Sequence, residues 1–551
     1  MLERGHTLRF YTSSLWRDLS SRGSLLASWL HQGHGLGTKQ TASISALGQR
    51  LLSLRQGDAT LAVEMARGKF NFPGIMISAK PAQIFASLQP VQNWETNLYD
   101  LQWLQHFCAS DQELHRMVAR PLILKWGNLR KTSWHCKTIF RSLISLSLAS
   151  YFLVGVRPSS FSEPLFSLAE NHIRLVVETR ARTAEQQLLQ AVSLLYASLA
   201  FRFPPAFREV ANSKFCAVIN QVILPDGGHI SRNPCDLLEC LLDLIPIRLA
   251  MINSREAVPQ ALSAAIERML PMLRMLSHGD QGLGLFQGFG SAPTNQISAV
   301  LEHDKSQGRP LTLAPHSGFG RISHGSGVLL MDVGRPQKCN GTLAFEFSDG
   351  NHRLFTNCGM PVAASAAWQS AAADIAAHNT MEIVGFSQGT FNRPKAEVIN
   401  SPRGTLISSR NEISTRHSTI AHDRNIFLAQ NGRDLRGEDQ IIFKGKSATR
   451  NPDFVIRFHL HPAVKASAVR KGANIVLLLP NKFAWQFSAS GGALTLEESV
   501  FLGDERGPRK SQQIVIRGNT AGTDTVKWAL KRVKKSVDTD NSQEESLLLP
   551  F

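Results

Sequence analysis

A chain of 551 residues, 43% of them apolar, is longer than one ordinary compact core requires, so two or more domains are expected. Its formal charge of +17 favours a polyanionic partner. Zinc-finger spacing and aromatic RNA-binding signatures are both missing, which turns the reading from nucleic acid toward an acidic glycan.

Glu3 and Arg9 interrupt the place where a secretory leader would carry its apolar run, so no signal peptide is predicted, and a cytoplasmic location is the expectation. The seven cysteines, Cys108, Cys136, Cys216, Cys235, Cys240, Cys339 and Cys358, form no CxxC pair. That pattern argues against a disulfide framework and for a reducing compartment. After an N-terminal segment, 1–40, the apolar spacing is helical: Leu98, Leu101, Leu104 and Phe107 recur at three-residue steps, and Leu188, Val192, Leu195 and Leu199 at three or four. Ser142–Val156, flanked by Arg141 and Arg157, is the most lipid-like stretch. Its length is short for a bilayer span and it holds four serines, so it reads as a buried helix. Pro204-Pro205, Pro225-Asp-Gly-Gly and Pro259 break the helical runs, which are compatible with either a toroid of paired helices or a bundle.

Past His278-Gly-Asp-Gln-Gly the chain turns glycine-rich, and from about residue 325 it alternates. Leu343, Phe345 and Phe347 would share one strand face; Phe454, Ile456, Phe458 and Leu460 would share another, with Arg457, His459 and His461 opposite. Serial short strands of this kind predict an antiparallel sandwich. The fold class is therefore α+β and multidomain: helices over 41–300, a β domain over 310–535, and a polar, disordered tail over 536–551. The glycine-rich Gly282–Gly290 run lacks the GK[ST] ending of a phosphate loop and is not read as one.

Leu224-Pro-Asp-Gly-Gly-His-Ile-Ser-Arg-Asn-Pro and His278-Gly-Asp-Gln-Gly-Leu-Gly-Leu-Phe-Gln-Gly resemble helical-domain segments of the heparinase II/III-like family. Asn357-Cys-Gly-Met-Pro, Ala376-Ala-His-Asn-Thr-Met, Leu435-Arg-Gly-Glu-Asp and Arg457-Phe-His-Leu-His-Pro resemble its β-domain markers, in the same order. The resemblance implies an N-terminal α/α toroid followed by an antiparallel β-sandwich, a glycan cleft between them, and β-elimination on a uronic-acid polysaccharide such as a glycosaminoglycan. It also implies a periplasmic location as the alternative. Two departures stand out: Ala373 and Ile375 occupy places where the family carries Arg and Thr, and all four tyrosines, Tyr11, Tyr99, Tyr151 and Tyr196, lie upstream of the family's catalytic tyrosine region. The alternative function is thus a non-catalytic, envelope-associated glycan binder that has lost that tyrosine.

A lyase must neutralise the uronate carboxylate before the weakly acidic C5 proton can leave, and must protonate or release the glycosidic oxygen. The loop Asp226–Asn233 offers His229, Arg232 and Asn233, although Asn233 could equally cap the following helix. By the resemblance His378 is either the base or a zinc ligand, and His378, Glu397 and His422 would form the structural zinc site. Asn379, His316, Arg457 and His459 complete the expected substrate contacts; for the strand face and the His316 turn, ordinary structural roles are the competing reading.

Overall fold

The computed structural model describes residues 44–533 except 73–74, 86–93, 132–133, 156–159, 306–309, 362–364, 387–389, 393, 416–417, 445–450 and 505–506. The expected N-terminal segment and polar tail lie outside the described residues. Two compact units are present: Met1–Ile223 with Cys240–Ile266, and Leu224–Glu239 with Glu267–Phe551.

The first unit is helical. After α1 (Ala59–Ala66) and the hairpin β1 (Lys69–Phe72) and β2 (Ile75–Ser78) come α2 (Trp94–Tyr99), α3 (Leu104–Ser110), α4 (Glu113–Gly127), α5 (Cys136–Val154), α6 (Ser162–Glu178), α7 (Ala184–Ala200) and α8 (Pro205–Val222). Local chemistry sets the ends. Thr183 and Gln186 exchange side-chain and backbone hydrogen bonds in a capping box at the start of α7, and Pro205 opens α8 where its missing N–H costs nothing. Helices two apart are neighbours: α3 packs on α5, α5 on α7, and α4 on α6. That is the two-layered packing of an α/α toroid. The inner helix α5 is buried nearly all round, whereas α4 and α6 each bury one face. Serines fit inside α5 because Ser142, Ser147 and Ser150 donate to carbonyls three or four residues back, at 2.7–2.9 Å. Among the described residues α5 is the one helix long and apolar enough to cross a membrane, and it is mostly buried among its neighbours.

The second unit carries two more helices, α11 (Thr294–Leu301) and α12 (Ala366–Ala373), and antiparallel strands. Between this pair and α8 run α9 (Pro234–Asn253) and α10 (Gln260–Met275). A five-stranded meander runs from β3 (Leu313–Ala314) through β4 (Phe319–His324), β5 (Gly327–Asp332) and β6 (Phe345–Asp349) to β7 (His352–Phe355). A nine-stranded sheet joins β9 (Thr390–Phe391), β10 (Lys395–Ser401), β11 (Gly404–Ser414), β12 (Thr419–Ala429), β13 (Asp434–Lys444), β15 (Lys465–Val469), β16 (Asn474–Leu478), β17 (Ala484–Ser490) and β20 (Thr525–Arg532). Four strands make the third sheet: β8 (Met381–Ile383), β14 (Asp453–His459), β18 (Ala493–Phe501) and β19 (Arg509–Asn519). Their apolar faces meet in one core, in which Phe345 stacks on Trp528 at 5.4 Å and Phe458 sets its edge to Phe487 and Trp528 at 5.0 Å.

The polar halves of these strands are not all solvated, as simple alternation suggests. In β6 every residue is buried, because Glu346 and Ser348 receive the buried His278, Ser348 Oγ at 2.9 Å from Nδ1 and Glu346 Oε2 at 2.9 Å from Nε2. Burial pushes Glu346 up to about 7 and holds His278 well below the usual histidine range.

Candidate functional site

The Asp226–Asn233 loop and His378 both belong to the second unit. Gly227 turns the loop with φ of 86°, and a side chain there would meet the Arg268 carbonyl oxygen at 1.9 Å. Asp226 Oδ2 accepts the backbone N–H groups of His316 and Ser317, both at 2.7 Å. His316 therefore lies beside this loop, with its side chain exposed.

Arg232, expected to neutralise a substrate carboxylate, is instead a clamp within the unit. Its guanidinium donates to the carbonyls of Ser317 at 2.6 Å and Gly318 at 3.0 Å, to that of Arg335, and to Asp332, and it lies over the Phe319 ring. Four of its five N–H groups are thus spent within the unit, and its positive φ of 59° turns the chain into α9. Asp332 also accepts Gln287 Nε2 at 2.7 Å, and Gln287 Oε1 takes the N–H groups of Gln337 at 3.1 Å and Lys338 at 3.2 Å.

Around this clamp stand the groups that could act. Lys338 Nζ donates to Asp236 Oδ2 at 3.0 Å, Ser231 Oγ donates to the same oxygen at 2.7 Å, and His229 Nδ1 lies 2.7 Å from Ser231 Oγ. Burial raises the Asp236 carboxyl, but Lys338, the Ser231 hydroxyl and His229 outweigh it and hold the group below its ordinary value. Asn233 Oδ1 caps α9 by accepting the Cys235 N–H at 2.8 Å, so the capping role is real. Its Nδ2 lies 3.9 Å from the position a Gly288 side chain would take, and that position is 3.7 Å from Lys338 Cβ.

His378 packs flat against Gly341, where a side chain would strike its ring at 2.4 Å. His378 Nδ1 donates to the Asp374 carbonyl at 2.8 Å, which leaves Nε2 as the acceptor nitrogen. Burial lowers its pKa despite the opposing Asp374 carbonyl and Asp332 charge, so the ring is a neutral base; the influence of Asp332 ties it to the Arg232 clamp.

Asn379 and His459, expected to touch substrate, hold this turn in place. Asn379 Nδ2 donates to the Phe345 carbonyl at 2.9 Å and its Oδ1 accepts the His459 N–H at 2.6 Å. His459 reaches the Ala376 carbonyl at 2.9 Å and Ser499 Oγ at 2.8 Å. Burial drives it down to about 3. Arg457 pairs with Glu382 at 2.6 Å across two strands.

His378, Glu397 and His422 do not fit one metal ion. Glu397 is in register with Ser408 and Asn425, whereas His422 is in register with Asn411. Three residues separate the two positions along the strand, roughly 10 Å, and the odd offset puts the side chains on opposite sheet faces. His422 is instead part of a sealed cluster: Asp439 accepts His422 Nε2 at 2.8 Å, Arg424 Nε at 2.6 Å and Trp528 Nε1 at 3.0 Å.

All four tyrosines fall in the first unit's range, so the second unit has none. Tyr151 donates to the Gly48 carbonyl at 2.7 Å and Tyr196 to that of Asp243 at 2.9 Å, while Tyr99 stacks on Trp134. Sequence reading passed over Ser231, Asp236, Gln287, Asp332 and Lys338. The first three sit inside or beside quoted motifs; Asp332 and Lys338 carry no local signal.

Residues 306–529 match the family Heparinase II/III-like, C-terminal. FtsZ-localized protein C of Caulobacter vibrioides is 26% identical over 470 residues, covering 79% of this chain and 80% of that protein. Among solved structures, Heparinase III superposes with a TM-score of 0.70 at 14% identity, covering 94% of this chain and 90% of the other. The heparan sulfate lyase HepC from Pedobacter heparinus gives 0.59 at 13%, covering 94% and 89%. At such identities the likeness is one of fold.

Proposed function

We propose that the chain, whose residues 306–529 match the heparinase II/III-like C-terminal family, cleaves an acidic, uronate-bearing polysaccharide by β-elimination. The observation that carries this reading is His378: a neutral imidazole whose Nδ1 proton is fixed on a backbone carbonyl and whose Nε2 can take the C5 proton. Lys338 and the Asn233 amide are the groups suited to neutralising the uronate carboxylate, in place of Arg232. With no tyrosine in the unit, the proton for the departing glycosidic oxygen falls to His229, positioned by Ser231 and Asp236. The electron pair of the C5–H bond forms the C4–C5 double bond, and the C4–O pair leaves with that proton. Unsaturated-uronate absorbance on a panel of uronic-acid polysaccharides tests the reading: a new band is expected with the native protein and none with His378→Ala.

A second reading is favoured by two observations, the consumption of Arg232 by Asp332 and the confinement of tyrosine to the first unit. On it the protein binds an acidic glycan without cleaving it, at the place where a relative named FtsZ-localized would act. Salt-sensitive glycan binding with no absorbance band from any polysaccharide would select this reading.

A further inference from the structure

The helical unit contains a cavity of about 400 Å³ that the lyase reading does not use. Three arginines line it, Arg50, Arg55 and Arg141, against one carboxylate, Asp111. Asp111 is matched by Arg116 at 3.3 Å. Arg55 and Arg141 are buried and held in place by a shared carboxylate: Asp243 Oδ1 takes Arg55 at 2.7 Å and Oδ2 takes Arg141 at 2.5 Å. Two guanidinium groups on one carboxylate give this wall a fixed positive field, and Arg50 adds an exposed third cation at the rim.

The remaining wall is mixed: Leu51, Leu101, Ile144 and Leu148 form an aliphatic strip along which Ser53, Gln56, Gln102, Gln105 and Ser145 also line the cavity. Those polar groups could meet sugar hydroxyls, but a sugar ring also needs a free aromatic face to stack on. The two aromatic residues of the lining are committed elsewhere, Tyr151 by its hydroxyl to the Gly48 carbonyl and Phe152 under the Arg116 guanidinium at 5.4 Å. We propose that this cavity binds an amphiphilic oxyanion, a carboxylate or phosphate monoester on an aliphatic stem, with its head on the arginines and its stem along the leucines. The arginine fork suits either head group, and transfer of the stem from water supplies the remaining affinity.

The test is calorimetric titration of the full-length protein with dodecanoate, dodecyl phosphate, neutral dodecyl maltoside and inorganic phosphate, each below its micellar concentration. Both anionic amphiphiles are expected to bind at a single site, with maltoside and inorganic phosphate weaker by about tenfold or more, the loss of one charge-assisted contact or of the stem. Whichever of dodecanoate and dodecyl phosphate binds more tightly identifies the source of the head group. Arg50→Gln, at an exposed position, should keep the fold and weaken both anions about tenfold. Leu148→Trp should block the stem while leaving inorganic phosphate unaffected. Equal affinity for dodecyl maltoside, or native affinity in both variants, overturns the proposal.

Discussion

His378 and His422 are two buried histidines of the same β-rich unit, both candidates for one zinc site, and their surroundings give them opposite fates. His422 Nε2 is bonded to Asp439, a carboxylate that also takes Arg424 and Trp528, and Arg424 in turn donates to the carbonyls of Leu343 at 2.8 Å and Asn379 at 2.7 Å. Among the described residues the His378 ring makes a single hydrogen bond, through Nδ1 to a neutral carbonyl. A histidine bonded to a buried, arginine-paired carboxylate fixes structure; one anchored on one side and basic on the other has the form that the proposed proton transfer needs. The cluster also holds the turn that carries His378, since Arg424 donates to the carbonyl of Asn379, the residue after His378.

Removing the carboxylate should have the largest effect. Asp439→Ala leaves Arg424 buried without its counter-ion, and breaking such a pair costs about 3–5 kcal/mol. Thermal or urea denaturation checks this; a loss under about 1 kcal/mol would mean that the cluster is not what holds the β core. His378→Ala should behave in the contrary way. It removes one hydrogen bond, about 1 kcal/mol of stability, but lowers turnover of a cleaved polysaccharide by about 10²–10⁴-fold with binding retained. Parallel loss of binding and turnover would place His378 among the merely structural groups.

Protonation sharpens the comparison further. His459, which holds the Ala376 carbonyl near His378, is depressed by burial to about 3. Its unfolded-state pKa is about 6.5, so between 6.5 and 3 the unfolded chain binds the proton first. Stability from this group is therefore complete above about pH 6.5 and falls as pH falls toward 3. His459→Gln, whose amide can still reach Ala376, should reduce the slope of stability against pH in that window by about one proton. Two further histidines keep the slope from vanishing: desolvation holds the buried His172 near 3 and the half-buried His461 near 4. An unchanged slope in denaturation midpoints across that range would exclude His459 as the titrating group.

The order of helices and strands was legible because periodicity reports which faces are buried, and the hydrophobic triplets Leu343, Phe345, Phe347 and Phe454, Ile456, Phe458 do lie in one core. Polar positions were much less legible. Arg232, Asn379 and His459 look like ligand-binding residues in a sequence, since the same donors that hold a glycan also hold a buried turn. The difference lies in long-range partners: Arg232 with Asp332, Asn379 with Phe345, His459 with Ser499. No local pattern announces those pairs. The positive φ of Arg232 and Gln287, 59° and 51°, is equally invisible to composition. The glycines of Asp-Gly-Gly were the readable part, because a turn that close to the Arg268 backbone admits little else.

The smallest expected effect belongs to Glu397, the third member of the supposed zinc site. It sits exposed on β10, at the margin of its sheet, with its side chain on the face away from His422. An exposed carboxylate contributes little, so Glu397→Ala should change stability by less than about 0.5 kcal/mol. A zinc site built on it predicts something different: metal loss on mutation, a drop in melting temperature, and the same drop on chelation, because a structural metal contributes its binding free energy to folding. Metal analysis of the native and Glu397→Ala proteins, with melting curves before and after chelator, separates the two. Equal metal content and superimposable curves are expected. A stoichiometric zinc lost with Glu397 would require β10 and β12 to pair in a register different from the one that sets Glu397 beside Ser408 and His422 beside Asn411.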